Sequence, residues 1–382
     1  MPATTIDAAV GLSRYIPPAA IAETARFMEA SGVIDGITAW DQLTFFLPPS
    51  LWTERITPMA AVMPDIDSFV DPFATLAYAA SAAPSLSLLI GTDAVRRSPA
   101  ELAQSLLTLS GMTTGSVTVQ LGAGEIKQLK PFGYKRSQGL KRLEDLIRLL
   151  KAQLAATEPI DFEGHHWTFE QAFIGNANKD RRIRIRGLGG GPRLMDIATS
   201  YADGIAAYAP GAAPTPARWA ETMKQIRRQV AEKGRDPDDF EFGLFPAVCL
   251  IHEDANVIDK LLDNPIVRWL ALCGGRINQA DWELDGITPP IRPDWHYASD
   301  LLPMNIGAAE AEAMLAGVTR EITERSYFIG TPAQVAEQLR GYVDVGTTNI
   351  HIGDLAAMVL PPEDAAQSTR RVIETAAALK NA

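Results

Sequence analysis

"SLSLLIGTDAVRRSPAELAQSLLTLSG", residues 85–111, holds one complete structural unit. An apolar run through Ile90 leaves the core at Thr92-Asp93-Ala94. Ser98, Pro99 and Glu101 then spell a helix start, with Ser98 as N-cap, proline at the first helical position and a glutamate completing a capping box. A strand delivered straight into a helix is half of a βαβ repeat, and repeated units of this kind build a parallel sheet.

The same unit recurs on both sides. Upstream, 8–14 and 33–40 read as strands, with a helix over 17–32 that opens on proline and stops at Gly32. Downstream, "GSVTVQLGAGE" (115–125) reads as a strand. "LKRLEDLIRLLKAQL" (140–154) is amphipathic at helical spacing through Leu140, Leu143, Ile147, Leu150 and Leu154. "RRIRIRGLGG" leads to a helix from Pro192, and "GIAAYA" to a helix ending near Gly234. "FEFGLFPAVCLI" is a further strand. A helix opened by Thr331 and Pro332 precedes the last strand, "TTNIHIGD", and a final helix covers roughly 362–380.

About eight strands with intervening helices predict an α/β fold, a (β/α)8 TIM-like barrel forming one unit over 1–382. Insertions fall near 43–84, 156–181 (a hairpin excursion) and 253–325, where Trp282, Pro293 and Trp295 suggest a lid. The alternative, an open Rossmann-like sheet with a second domain, lacks its G-x-G-x-x-G after the first strand.

Bulk properties narrow the function. With 35 basic and 46 acidic residues the net charge is −11, which argues against nucleic-acid and polybasic membrane partners. Cys249 and Cys273 cannot form a disulfide framework. The first residues lack a signal-peptide pattern, and no apolar run approaches a membrane span. A soluble, cytoplasmic protein is expected.

In a parallel barrel the polar residues at C-terminal strand ends face the active site. In "DGITAWDQLTFFLP" (35–48), Asp41 and Gln42 either cap the next segment or face a pocket. Glu125 follows "LGAG", whose glycines allow close approach, and is either an acid/base group or a capping, salt-bridged glutamate. "GLGGGPR" (187–193) offers free N–H groups before a helix. It suits a phosphate, with Arg193 adding a cation, or is a tight turn. Arg96 and Arg97 meet an anion or pair with surface carboxylates. His165, His166, His252, His296 and His351 show no metal-ligand spacing, so no metal is expected, and His351 reads as a core histidine. Nucleophile-elbow and Walker-A motifs are absent from the sequence.

Taken together, "DQL" (41–43), "MPDID…DPFATLAYAA" (63–80), "TDAVRRSPAELAQ" (92–104), "LGAGE…PFG" (121–133), "GPRLMDIATSYADG" (191–204) and "FIGTPAQVAEQL" (328–339) resemble the luciferase-like flavin and deazaflavin oxidoreductases. The branch resembled is the one that uses coenzyme F-420, and within it the phthiodiolone ketoreductase type. The resemblance implies a barrel with insertions, a homodimer, and a deazaflavin ring in the barrel mouth. It implies cofactor contacts at Asp41, Thr92, Asp93, Ala94, Gly124 and Gln128, with Leu188, Gly189, Gly190 and Gly191 holding the phosphate-bearing tail. Asp93–Ala94 matches the family's non-prolyl cis peptide, and Glu125 its acid/base carboxylate.

Two departures matter. Gln42 stands where F-420 enzymes have histidine, and Gln cannot titrate. Phe46, on the substrate pocket, replaces a tryptophan of the sugar-phosphate dehydrogenases. Both weaken a glucose-6-phosphate assignment and leave reduction of a small apolar substrate, with Glu125 or water as proton source and Gln42 beside it. The competing readings are an FMN-dependent monooxygenase and a non-catalytic cofactor-binding homologue.

Overall fold

The computed structural model describes residues 3–381. Its strands are β1 (Thr5–Ala9), β2 (Gly36–Trp40), β3 (Ser87–Asp93), β4 (Val117–Gly122), β5 (Ile160–Glu163), β6 (Thr168–Ala172), β7 (Ile183–Leu188), β8 (Gly204–Ala209), β9 (Glu241–Ile251), β10 (Phe328–Gly330) and β11 (Asn349–Asp354). Parallel pairing runs β9-β11-β1-β2-β3-β4-β7-β8, and β8 pairs back to β9, so eight strands close a barrel. β10 adds a ninth strand outside β9, and β5–β6 form the antiparallel hairpin expected within 156–181.

The barrel has two faces of opposite character. Ile6, Ala8, Ile37, Ala39, Leu88, Ile90, Val117, Val119 and Leu121 point outward into the main core beneath the helices. The alternate positions point inward and many are polar. Arg186 on β7 donates to Asn349 Oδ1 on β11 at 2.8 Å, and His351 Nδ1 lies 3.2 Å from Asp7 Oδ1. Trp40, Phe245 and His351 pack together across the lumen with centroids 5.3–6.0 Å apart, Trp40 edge to face with each of the other two. His351 is thus the core histidine that its position suggested.

A second core lies over the C-terminal end of the barrel. Leu47, Leu51 and Trp52 from the first insertion pack with Trp269, Leu272, Trp282 and Ile322 from the third. The 253–325 segment is therefore a set of short helices with a closed apolar interior, not a loose lid. Trp282 and Trp295 are buried in it.

Several expectations shift for local reasons. The first strand ends at Ala9 because Gly11 turns at φ +47°, where a Cβ would meet Ile21 at 2.6 Å. The insertion expected over 43–84 stops earlier. Pro72–Ala82 is a barrel helix capped by Asp71, which accepts from the Phe73 and Ala74 N–H groups at 3.0 Å. Ser98 does not cap its helix backbone; its hydroxyl donates to Glu101 Oε2 at 2.9 Å. The Thr331 box is complete, with Gln334 as its reciprocal partner. On the helix Gly139–Ala155 the buried stripe runs through Leu143, Leu146, Ile147 and Leu150, while Leu140 is exposed. The final helix is broken into Pro362–Ala365 and Ser368–Lys380.

Trp269 joins the second core to the barrel mouth, since its Nε1 donates to the Phe46 carbonyl at 2.8 Å. Trp269→Phe keeps much of the apolar contact but orphans that carbonyl. Denaturant unfolding should show a loss of about 1–3 kcal/mol.

Candidate active site

The ends of β2 and β3 are locked together by charge. The Asp41 N–H donates to Gly91 O at 2.8 Å. Asp41 Oδ1 accepts from Arg96 Nη1 at 3.1 Å. Its Oδ2 accepts from Arg97 Nε and Thr92 Oγ1, both at 2.7 Å. Burial pushes the Asp41 carboxyl up. The Arg97 hydrogen bond and the charges of Arg96 and Arg97 outweigh this and hold it below the usual carboxylate range. Asp93 Oδ1 accepts from the Val95 and Arg96 N–H groups at 2.8 and 2.9 Å, and its Oδ2 takes Arg96 Nε at 2.5 Å. The Ala94 N–H reaches Gly122 O at 3.0 Å. Arg96 and Arg97 thus pair with carboxylates at the mouth rather than standing free for an anion. The side chains of Asp41, Thr92 and Asp93 are engaged within the protein.

The cis peptide implied at Asp93–Ala94 is not found. The cis bonds among the described residues are Ala209–Pro210 and Phe245–Pro246. The turn is already held by Asp93 on one side and Gly122 on the other.

After β4 the chain turns at Gly124 (φ +90°), where a Cβ would meet Leu129 at 2.7 Å. Glu125 follows, partly exposed, and its Oε2 lies 2.8 Å from Lys127 Nζ. Lys127 is fully buried. It donates to Thr44 O at 2.9 Å and sits 3.9 Å over the Phe46 ring. Burial lowers its pKa, against the raising effect of Glu125. Gln128 clamps the same loop. Its Oε1 accepts from the Leu43 and Thr44 N–H groups at 2.7 and 3.2 Å, and its Nε2 donates to Thr44 O at 2.7 Å. Phe46 is half-buried against Tyr297. Gln42 is half-buried, and its Oε1 is sealed from solvent without a partner among the described residues.

On the far side of the mouth, the Gly189 N–H donates to Ala206 O at 3.2 Å. Leu188 is half-buried. Gly190 and Gly191 are exposed, with no heavy atom near where a Cβ would sit. Gly191 N-caps the helix Pro192–Tyr201. Arg193 adds no free cation here, because it pairs with Glu144 and Asp196 at 2.7 Å.

A cleft of about 500 Å³ opens beside Lys127, walled by Leu43, Thr44, Asp67, Lys130–Phe132 and Leu302–Asn305. That volume suits a small organic ligand. Burial pushes the Asp67 carboxyl above the usual range, against a hydrogen bond from the Phe45 N–H at 2.6 Å. Lys127, Asp67 and 302–305 escape sequence reading. The available signal was a lysine set between Ile126 and Leu129 in "GEIKQL". Among the described residues no three His, Cys, Asp or Glu side chains group closely enough for a metal ion.

Asp41→Asn removes the carboxylate that Arg96 and Arg97 share and leaves each with one other partner, Asp93 and Asp71, so stability at neutral pH should fall by about 1–3 kcal/mol. Because the native Asp41 pKa is depressed, its contribution is present above the ordinary aspartate value. In denaturation followed against pH, the difference between wild type and variant should shrink below about pH 3.9.

Comparisons with known proteins agree with this architecture. The family model described as luciferase-like monooxygenase matches residues 5–349. A phthiodiolone/phenolphthiodiolone dimycocerosates ketoreductase of Mycobacterium sp. (strain JLS) is 26% identical over 350 residues, covering 88% of this chain and 89% of that protein. A 5,10-methylenetetrahydromethanopterin reductase of Methanolobus tindarius is 24% identical over 287 residues, covering 74% of this chain and 82% of that protein. A solved F420-dependent secondary alcohol dehydrogenase, in complex with an F420-acetone adduct, shares the fold. It has a TM-score of 0.70 at 19% identity over 99% of both chains. With the family model matching from β1 to the start of β11, the chain belongs to the luciferase-like monooxygenase family.

Proposed function

We propose that this protein is a coenzyme F-420-dependent oxidoreductase acting on a carbonyl or activated double bond of an apolar substrate. The observation that carries this reading is Glu125. It is a partly exposed carboxylate at a C-terminal strand end, beside a cleft walled by Leu43, Pro131, Phe132 and Met304. The resemblance to a ketoreductase and to enzymes named for F-420 supports the same reading.

The residues present fit a planar cofactor with a phosphate-bearing tail. Gly190 and Gly191 are exposed at a helix start, with open space where side chains would otherwise stand, which suits the approach of a phosphate. Gln42 Oε1 is a buried acceptor in need of an N–H partner, which the edge of a deazaflavin ring provides. When bound, the deazaflavin supplies a two-electron hydride donor or acceptor. The protein's part is then positional and protic. The Arg96–Asp41–Arg97 lock fixes the start of the 42–46 loop, and Gln128 fixes its middle. Phe46 and Tyr297 form an apolar wall that limits water. Gln42 donates or accepts a hydrogen bond without carrying a proton, which leaves the proton to Glu125.

The description of the family model favours a second reading, an FMN-dependent monooxygenase. Fluorescence titration of the pure protein separates the two. F-420 should bind and FMN should bind weakly or not at all; FMN binding with oxygen-dependent turnover, and none for F-420, would reverse the assignment. With F-420 bound, Glu125→Gln should slow carbonyl reduction about 10²–10⁴-fold while leaving cofactor affinity nearly intact. Gln42→His installs a group that titrates near pH 6.5, so a new limb should enter the rate profile in that region. An unchanged profile would mean that Gln42 only shapes the loop.

A further inference from the structure

Lys127 is sealed from solvent, yet its ammonium has three partners. These are Glu125 Oε2 at 2.8 Å, the Thr44 carbonyl at 2.9 Å and the face of Phe46 at 3.9 Å. Glu125 is the partly exposed member of the pair, so solvent reaches the carboxylate and not the ammonium. A buried ion pair is poorly explained by stability alone, since an apolar pair of similar volume is often as stable. The other mouth carboxylates are differently placed. Asp41 is held ionised by two arginines, and Asp67 is tied to the Phe45 N–H. Gln42 cannot supply a proton.

We propose that Glu125 and Lys127 form a single proton store in which Lys127 recharges Glu125 and Glu125 delivers the proton to the substrate oxygen. This rests on the reading of the cleft as a carbonyl-reducing site. A hydride equivalent from a reduced deazaflavin-type donor forms a C–H bond at the carbonyl carbon, and the π pair of C=O moves to oxygen. That oxygen takes one proton, which leaves Lys127 as N–H, passes through the Glu125 carboxyl and ends as the alcohol O–H. The pair is left as carboxylate and neutral amine, and solvent returns the proton through the partly exposed Glu125. Burial favours the neutral amine and so makes this departure less costly.

The surrounding groups define what else could titrate. Asp67 and Arg96 add opposing fields at Lys127. The Cys273 thiol and the Tyr297 phenol are both pushed up by burial, so they stay neutral near pH 7. His296 lies within the field of Glu125 and of Arg136, and burial holds its pKa down.

The test combines two substitutions of Lys127, and controls at Glu125 and Asp67, with a measurement that needs no cofactor. Carbon-13 NMR of glutamate carboxyls in the cofactor-free protein, assigned with Glu125→Gln, should show the Glu125 midpoint rising in Lys127→Met. Single-turnover ketone reduction should fall about 100-fold in Lys127→Met. Lys127→Arg keeps a cation against Glu125 but cannot release its proton. It should be slowed comparably, with F-420 affinity and thermal midpoint retained. Wild-type turnover by Lys127→Arg would overturn the proposal and leave Lys127 as a charge and loop anchor. An unmoved Glu125 midpoint would overturn it too, as would Asp67→Asn slowing reduction as much as Lys127→Met. A wild-type protein that binds no F-420, or binds it and reduces no carbonyl, would instead sink the underlying functional reading, while the NMR titration still reports whether the pair is coupled.

Discussion

The mouth of this barrel depends on one buried carboxylate. Asp41 ends β2, and three donors from the β3 turn converge on its two oxygens. Two of these donors are guanidinium groups, so the carboxylate stays ionised although burial opposes it. A charge cluster of this kind is costly to assemble and costlier to half-dismantle. It ties the end of one strand to the turn after the next. The 42–46 loop therefore leaves the barrel from a fixed point, and Gln128 and Lys127 meet it where it passes.

The barrel interior obeys a different rule from the helix-facing core. Strands buried on both faces commonly read as unbroken apolar runs. Here β1, β2, β4, β7 and β11 alternate, as "TIDAA", "GITAW", "VTVQLG", "IRIRGL" and "NIHIGD" show. The inward set includes Asp7, Thr38, Gln120, Arg186 and His351, all buried. Asp7 Oδ2, Thr38 Oγ1, both polar atoms of Gln120 and His351 Nε2 have no partner among the described residues. Buried groups of mixed donor and acceptor type are the setting in which internal water is retained.

Much of the fold was legible because it is written locally. Apolar runs, proline at first helical positions and the Thr331 box each act within a few residues, and they locate most barrel elements. The second core was not legible, since Leu47 and Trp52 meet Trp269 and Trp282 across some 200 residues of chain. The strand-end rule reached Glu125, Gln42 and the open glycines. Lys127 was out of its reach for a physical reason. The unusual state of that lysine is set by Thr44 and Phe46, about 80 residues upstream, which bury it and leave it Glu125 as counter-ion. Gln128, a cofactor contact only by resemblance, also grips the 43–44 backbone, a contact that chain order does not show.

Charge bookkeeping around the cleft also bears on what enters it. The buried cations nearest the mouth are committed: Arg96 to Asp41 and Asp93, and Lys127 to Glu125. Arg97 is shared between Asp41 and Asp71, and Arg193 between Glu144 and Asp196. A substrate phosphate held by side chains commonly meets a cation with free donors, such as a guanidinium fork. To serve that role, each of these side chains would first have to abandon a carboxylate and leave it unpaired. Lys130 is exposed at the rim of the cleft. Leu43, Pro131, Phe132, Leu302 and Met304 make much of the cleft wall apolar, beside the side chains of Asp67, Lys127 and Lys130. A neutral, apolar ligand fits that environment without disturbing any of the ion pairs on which the mouth depends.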